Sequence, residues 1–156
     1  MWHPFTPFSV WLDEDYHPTV IVEGKGSTLL DSEGREFLDG NSSIWVNLHG
    51  HRNASINRAI RKQLDKIAHS SFLGLTNPLA TELAELLVKF CLPDGSSPEE
   101  YPSRVFFSDD GSTAIEAAIK IAIQYFELIG EGKRRKFVSL SKGYHGDTVG
   151  AMSVSH

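Results

Sequence analysis

Two short stretches carry residue types at a spacing that could do chemistry. The first, Ser108-Asp-Asp-Gly-Ser-Thr-Ala-Ile-Glu116, follows an apolar run at residues 105–107 and opens a long helical pattern. A helix start built from small residues leaves backbone N–H groups without intrahelical partners. With roughly half a positive charge from the helix dipole, those donors form a cradle for a phosphate. In this reading the amides of Gly111, Ser112 and Thr113, with the two hydroxyls, hold phosphate oxygens. The competing reading is an ordinary βα turn capped by Asp109 or Asp110. The second stretch, Lys142-Gly-Tyr-His-Gly-Asp147, sets an aromatic ring and an imidazole between two glycines. Here Tyr144 and His145 either face a planar ligand, the glycines permitting close backbone approach, or pack in a tight turn. A phosphate cradle plus an aromatic platform suggests a flat phosphorylated cofactor.

Other constellations carry less. His49-Gly-His51 is open to reading as a metal pair, but no cysteine or carboxylate cluster accompanies it, which favours structural histidines. Trp45, in the apolar run 44–46, reads as core rather than site. The chain contains no Gly-x-Ser-x-Gly elbow, no Walker lysine after the glycine-rich turn and no Gly-x-Gly-x-x-Gly. Its one cysteine, Cys91, excludes an internal disulfide and is expected to pack at the end of an amphipathic helix.

The elements that must position these residues follow from periodicity. Residues 1–18 hold three of the seven prolines and several aromatics, which predicts an ordered arm without a regular helix. Residues 20–23 are strand-like, and 28–31 and 35–38 flank a hairpin turn at 32–34. Asn53 is a candidate cap for a helix presenting Ile56, Ile60, Leu64 and Ile67 on one side. A second helix is expected to begin near Asn77 and Pro78, followed by a loop at 93–98. Strand 105–107, helix 111–129 and strand 137–140 make a βαβ pattern, which predicts a parallel sheet with a right-handed crossover. The end, residues 148–156, breaks off in mid-pattern, as if the chain were cut.

Composition narrows the class. At 156 residues, 40% hydrophobic and 22% charged, this is the make-up of a soluble globular domain of ordinary size. A net charge of −5 argues against a nucleic-acid partner, and Lys133-Arg-Arg-Lys136 reads as a solvated connection. No apolar run is long enough to span a bilayer and no leader pattern opens the chain, so a cytoplasmic location is expected.

Taken together, Trp2-His-Pro-Phe-Thr6, Asp39-Gly-Asn-Ser-Ser-Ile-Trp45, His49-Gly-His51, Ser108 to Glu116 and Gly143-Tyr-His-Gly-Asp-Thr148 resemble the class III aminotransferases that depend on pyridoxal phosphate. The tryptophan-histidine-proline arm points to the branch acting on 8-amino-7-oxononanoate in biotin synthesis. The resemblance covers the whole chain but only the first part of a family member. It implies an incomplete α/β fold of type I: residues 1–52 as arm and small-domain β segment, and 53–156 as the start of the large cofactor-binding domain with its parallel or mixed sheet. Gly111 and Ser112 match the family's backbone ligands of the phosphate. Tyr144 matches the aromatic that stacks on the pyridine ring and borders the substrate, with His145 beside it. Phe5, Ile44 and Trp45 fall among the substrate-lining residues. Phe5 stands where tyrosine is commoner and Ile44 where an aromatic is, so the amino donor, S-adenosylmethionine or lysine, stays open. No residue matches the family's Schiff-base lysine, or the carboxylate opposite the pyridine nitrogen. The resemblance therefore implies a chain with no catalytic residue of its own, inactive alone, whose full-length form is a homodimer. The alternatives are a non-catalytic fragment that binds only cofactor or a partner, and a class III enzyme for another ω-amine.

Overall fold

The hairpin expected around residues 32–34 forms as the sequence predicts, and one carboxylate organises it. Asp31 is almost fully buried and accepts from the amides of Glu33 (3.0 Å) and Arg35 (2.8 Å) and from Arg35 Nε (2.7 Å). Burial pushes its pKa up, but the hydrogen bonds from Arg35 and Glu33 outweigh that and leave it below the ordinary carboxylate value. In this computed structural model, which describes residues 2–93, 95–96, 99 and 101–155, the turn joins β2 (Thr28–Asp31) to β3 (Glu36–Leu38). β1 (Ile21–Lys25) pairs antiparallel on the other side of β2, giving the order β1-β2-β3 with a register irregularity between Ile21 and Glu23.

The chain divides into two compact units, Met1–Leu75 and Thr76–His156, where length alone suggested one domain. The first unit opens with a one-turn helix, α1 (Phe8–Trp11), starting directly after Pro7. The prolines thus shorten the arm's helix without abolishing it, since proline is tolerated before the first turn. Ring contacts link Trp2 to Phe8, His3 to Trp11 and Trp11 to Tyr16. After the sheet comes α2 (Ser42–Trp45), a single turn described below, and then α3 (Ala54–Leu64). Asn53 caps α3 as expected, its side chain accepting from the amides of Ser55 and Ile56. Such a cap contributes about 1 kcal/mol.

In the second unit Asn77 caps α4 (Pro78–Cys91), with Pro78 in the first turn. The loop expected at 93–98 lies partly outside the described residues. α5 (Gly111–Leu128) and α6 (Val149–Ser153) pack on one another and bury Ala151. The basic run is solvated as expected: Arg134 pairs with Glu131, Arg135 pairs with Glu127, and Arg134 lies over the Phe126 ring.

Two expectations need correction. The parallel strands at 105–107 and 137–140 are not formed among the described residues; the only described sheet is the antiparallel one of the first unit. A strand exists through its ladder partner, and the only ladders described are those of β1, β2 and β3; Phe106 is also 70% and Val138 99% exposed, so no packing layer covers either side chain. Cys91 is exposed, not packed, because no described element covers the last turn of α4.

Candidate functional site

The helix start and the glycine-flanked loop, 30 residues apart in sequence, meet in the second unit. Asp110 is the N-cap of α5 and forms a capping box with Thr113: Thr113 N donates to Asp110 Oδ1 (2.8 Å) and Asp110 N donates to Thr113 Oγ1 (3.0 Å). This takes Thr113 out of the cradle, because its amide and hydroxyl are already used. It also turns the Asp110 carboxylate back onto its own helix. The amides of Gly111 and Ser112 keep no acceptor among the described residues. Nothing stands within 4 Å of where a Gly111 side chain would begin, so the helix start is open.

The loop docks beside those amides. Asp147 N donates to Ser112 Oγ (3.1 Å), leaving the hydroxyl hydrogen of Ser112 able to reach a ligand. Gly146 is buried against Ser112 with φ +126°. Tyr144 donates its hydroxyl to Asp147 Oδ2 (2.6 Å), and its side chain is otherwise 67% exposed. That acceptor, then partial burial and the nearby negative charge, hold the Tyr144 phenol protonated above its ordinary pKa. On the far side of the loop His145 N donates to Ser155 Oγ (3.0 Å), while the buried Nδ1 of His145 has no partner.

Sequence reading missed Glu116, which enters the same assembly. It lies one helical turn after Ser112 and accepts from Gly150 N at 2.5 Å. Hydrogen bonding from the start of α6, in which the Gly150 amide takes part, holds its carboxyl below the usual range against the opposing effect of burial. The (i, i+4) spacing from Ser112 was the available signal.

The first unit carries the other predicted residues. Phe5 is 93% exposed with φ +53°, in a shallow concavity of about 650 Å³ formed by residues 2–7. Ile44 and Trp45 sit in α2, which is left-handed: Ser42, Ser43, Ile44 and Trp45 have φ of 54°, 50°, 59° and 69°. Trp45 is 73% exposed and so is not core. The turn is held by Asp39, which accepts from Ser43 N and Ser43 Oγ (2.8 Å each) and faces His51 Nε2 (2.8 Å). Asn41 Oδ1 adds a long bond from Ile44 N (3.4 Å). His51 also bridges Gly26 through both backbone groups and lays its ring against Gly24, so it is structural, as the sequence favoured. No group of three or more potential metal ligands occurs among the described residues. Phe5 and the α2 residues share no hydrogen bond or ring contact.

A helix start whose first amides keep no acceptor among the described residues, beside a tyrosine-bearing loop, is an arrangement with the chemistry to take an anion and a flat ring. The pattern of the class-III aminotransferases matches residues 11–156, and the chain belongs to that family. It is 49% identical over 154 residues to the adenosylmethionine-8-amino-7-oxononanoate aminotransferase of Anoxybacillus flavithermus, covering 99% of this chain and 32% of that protein. The crystal structure of the enzyme so named from Methanocaldococcus jannaschii is 44% identical, with a TM-score of 0.88 over 99% of this chain and 33% of its own. An amine transaminase from an uncultivated Pseudomonas species, solved with pyridoxal phosphate bound, is 36% identical with a TM-score of 0.83, over the same shares of the two chains. The chain spans about a third of the length of the relatives it matches. Its fold is accordingly a partial α/β transaminase fold of type I.

Proposed function

We propose that this chain is the N-terminal, cofactor-docking portion of a pyridoxal-phosphate-dependent transaminase that aminates 8-amino-7-oxononanoate to 7,8-diaminononanoate. The observation that carries the reading is the Asp147–Ser112 bond, which fixes the tyrosine loop at the mouth of the two unpaired amides. Gly111 and Ser112 would hold the phosphate; Tyr144 would lie on the ring with His145 behind it. Pyridoxal phosphate, when bound, supplies the electron sink that lets a proton leave the carbon bearing the amino group. The chain's own part is to bind and orient: Phe5, Ile44 and Trp45 line the substrate, in an arm and small-domain segment over residues 1–52, with the large domain beginning at 53. The relatives' names favour adenosylmethionine over lysine as donor. The full-length form would be a cytoplasmic homodimer; no described helix is long and apolar enough to cross a membrane.

Two measurements test this. Given 8-amino-7-oxononanoate and either donor, the intact protein is expected to yield the diamine by mass spectrometry, whereas the 156-residue chain alone yields none and gives no specific lysine adduct on borohydride reduction. Activity only with another ketone would favour a second reading, an enzyme for a different ω-amine, which the likeness to the amine transaminase supports. Separately, Gly111→Pro removes one amide donor while keeping a residue that suits the first helical position. Since hydrogen bonds to charged groups are worth about 1.5–3 kcal/mol, pyridoxal phosphate affinity is expected to fall roughly ten- to a hundred-fold with α5 intact by circular dichroism. Unchanged affinity would remove the cradle from the argument.

A further inference from the structure

The loop that carries Tyr144 is strung between three anchors, and only one of them has no local reason to be there. Asp147 hangs from Ser112, and His145 hangs from Ser155, whose hydroxyl in turn donates to Ala151 O (2.8 Å) in α6. The position of α6 therefore sets the position of His145, and with it Tyr144. What holds α6 is unusual. Thr148 occupies its N-cap without making a side-chain cap bond to it. The amide that such a cap would satisfy, Gly150 N, is taken instead by Glu116 Oε1 from the neighbouring helix. The approach is tight: a side chain on Gly150 would begin 2.8 Å from Glu116 Cδ. Glu116 lies on the same face of α5 as Ser112, one turn further in. One helix face thus grips the chain that follows Tyr144 at two points, Asp147 and Gly150.

Resting on the cofactor reading above, we infer that Glu116 is a positioning residue for the cofactor site: by capping α6 at Gly150 it sets where the Tyr144 loop stands relative to the Gly111 and Ser112 amides. Glu116 touches neither phosphate nor ring; it acts through α6. Its carboxyl is held below the usual range by hydrogen bonding from the start of α6, where the Gly150 amide donates to it.

The test uses the intact protein with Glu116→Ala, Glu116→Gln and Gly150→Ala, and reads two quantities: pyridoxal phosphate affinity by equilibrium dialysis, and hydrogen exchange of amides 145–150 against those in the middle of α5. Glu116→Ala is expected to weaken affinity about ten-fold, the worth of one charge-assisted bond, and to speed exchange at 145–150 only. Glu116→Gln keeps an oxygen acceptor and should stay within about three-fold of the parent, since only the charge assistance is lost. Gly150→Ala should reproduce Glu116→Ala from the other side. Parent-like affinity in both Glu116→Ala and Gly150→Ala overturns the assignment, as does faster exchange spread evenly along α5, which marks general destabilisation. A parent protein that binds no pyridoxal phosphate overturns the cofactor reading and this assignment with it; selective exchange at 145–150 in Glu116→Ala then identifies the cofactor reading as the step that failed.

Discussion

Gly146→Ala is expected to abolish useful cofactor binding, with pyridoxal phosphate affinity lowered more than about a hundred-fold while the helices remain. Two independent effects converge on this position. Gly146 has φ +126°, a region closed to side-chain-bearing residues, so alanine forces the backbone to rotate. A Cβ there would also begin 2.7 Å from Ser112 Cβ and 2.8 Å from Ser112 Cα. The second of these is backbone of the α5 first turn and cannot swing aside as the end of a flexible side chain would. The loop must lift, and lifting it breaks the 3.1 Å bond from Asp147 N to Ser112 Oγ and carries Tyr144 away with it. A shift that loses the ring platform and misplaces the Ser112 hydroxyl removes two or more contacts, or at least about 2.8 kcal/mol, the equivalent of a hundred-fold. Equilibrium dialysis of the intact protein checks the loss, and circular dichroism checks that α5 persists. Parent-like affinity would mean that the loop does not help to hold the cofactor, and the proposed function would lose its carrying observation.

How much of this was legible in the sequence depends on how local each signal is. The caps at Asn53, Asn77 and Asp110 and the hairpin turn around Asp31 are each complete within a few residues, and each forms where its residues indicate. The helix start at Gly111 was visible for the same reason, although only the coordinates show that Thr113 is used up by the capping box. Strands 105–107 and 137–140 were over-read, because β-prone residues say what a segment can do and not which neighbour it will find. The docking of Gly146 and Gly150 onto Ser112 and Glu116 spans 34 residues, and no periodicity within either segment encodes it. The left-handed turn was the least legible element. Ser42 to Trp45 contains no glycine, and its two apolar members, one of them β-branched, argue against positive φ at every step. Its cause lies outside it, in Asp39 and in His51 twelve residues further on.

That external cause makes Asp39→Ala the second change of large expected effect. Left-handed helical geometry costs L-residues roughly 1–2 kcal/mol each, so four in succession represent about 4 kcal/mol or more that the surroundings must offset. Asp39 provides much of the offset: its nearly buried carboxylate takes the amide and hydroxyl of Ser43 and faces His51, all at 2.8 Å. Without it the Ser43 amide loses its acceptor, and the turn is expected to relax into an ordinary conformation that re-aims Ile44 and Trp45. With Trp2 and Trp11 replaced by phenylalanine, the emission of Trp45 reports the rearrangement directly. If Ile44 and Trp45 line the substrate as proposed, KM for the amino acceptor in the intact protein should rise at least about ten-fold with pyridoxal phosphate affinity unchanged, since the proposed phosphate and ring contacts involve neither residue. Acid should imitate the substitution. The Ser43 amide, the Ser43 hydroxyl and His51 lower the Asp39 pKa below its ordinary 3.8. A carboxylate with a depressed folded pKa contributes stability that is fully present above the unfolded value and is lost as pH falls through the folded one. The Trp45 signal of the parent should therefore hold at pH 5, change only below pH 3.8, and show no such step in Asp39→Asn. A Trp45 emission indifferent both to Asp39→Ala and to acid would show that the turn holds itself, and that Asp39 and His51 merely pack beside it.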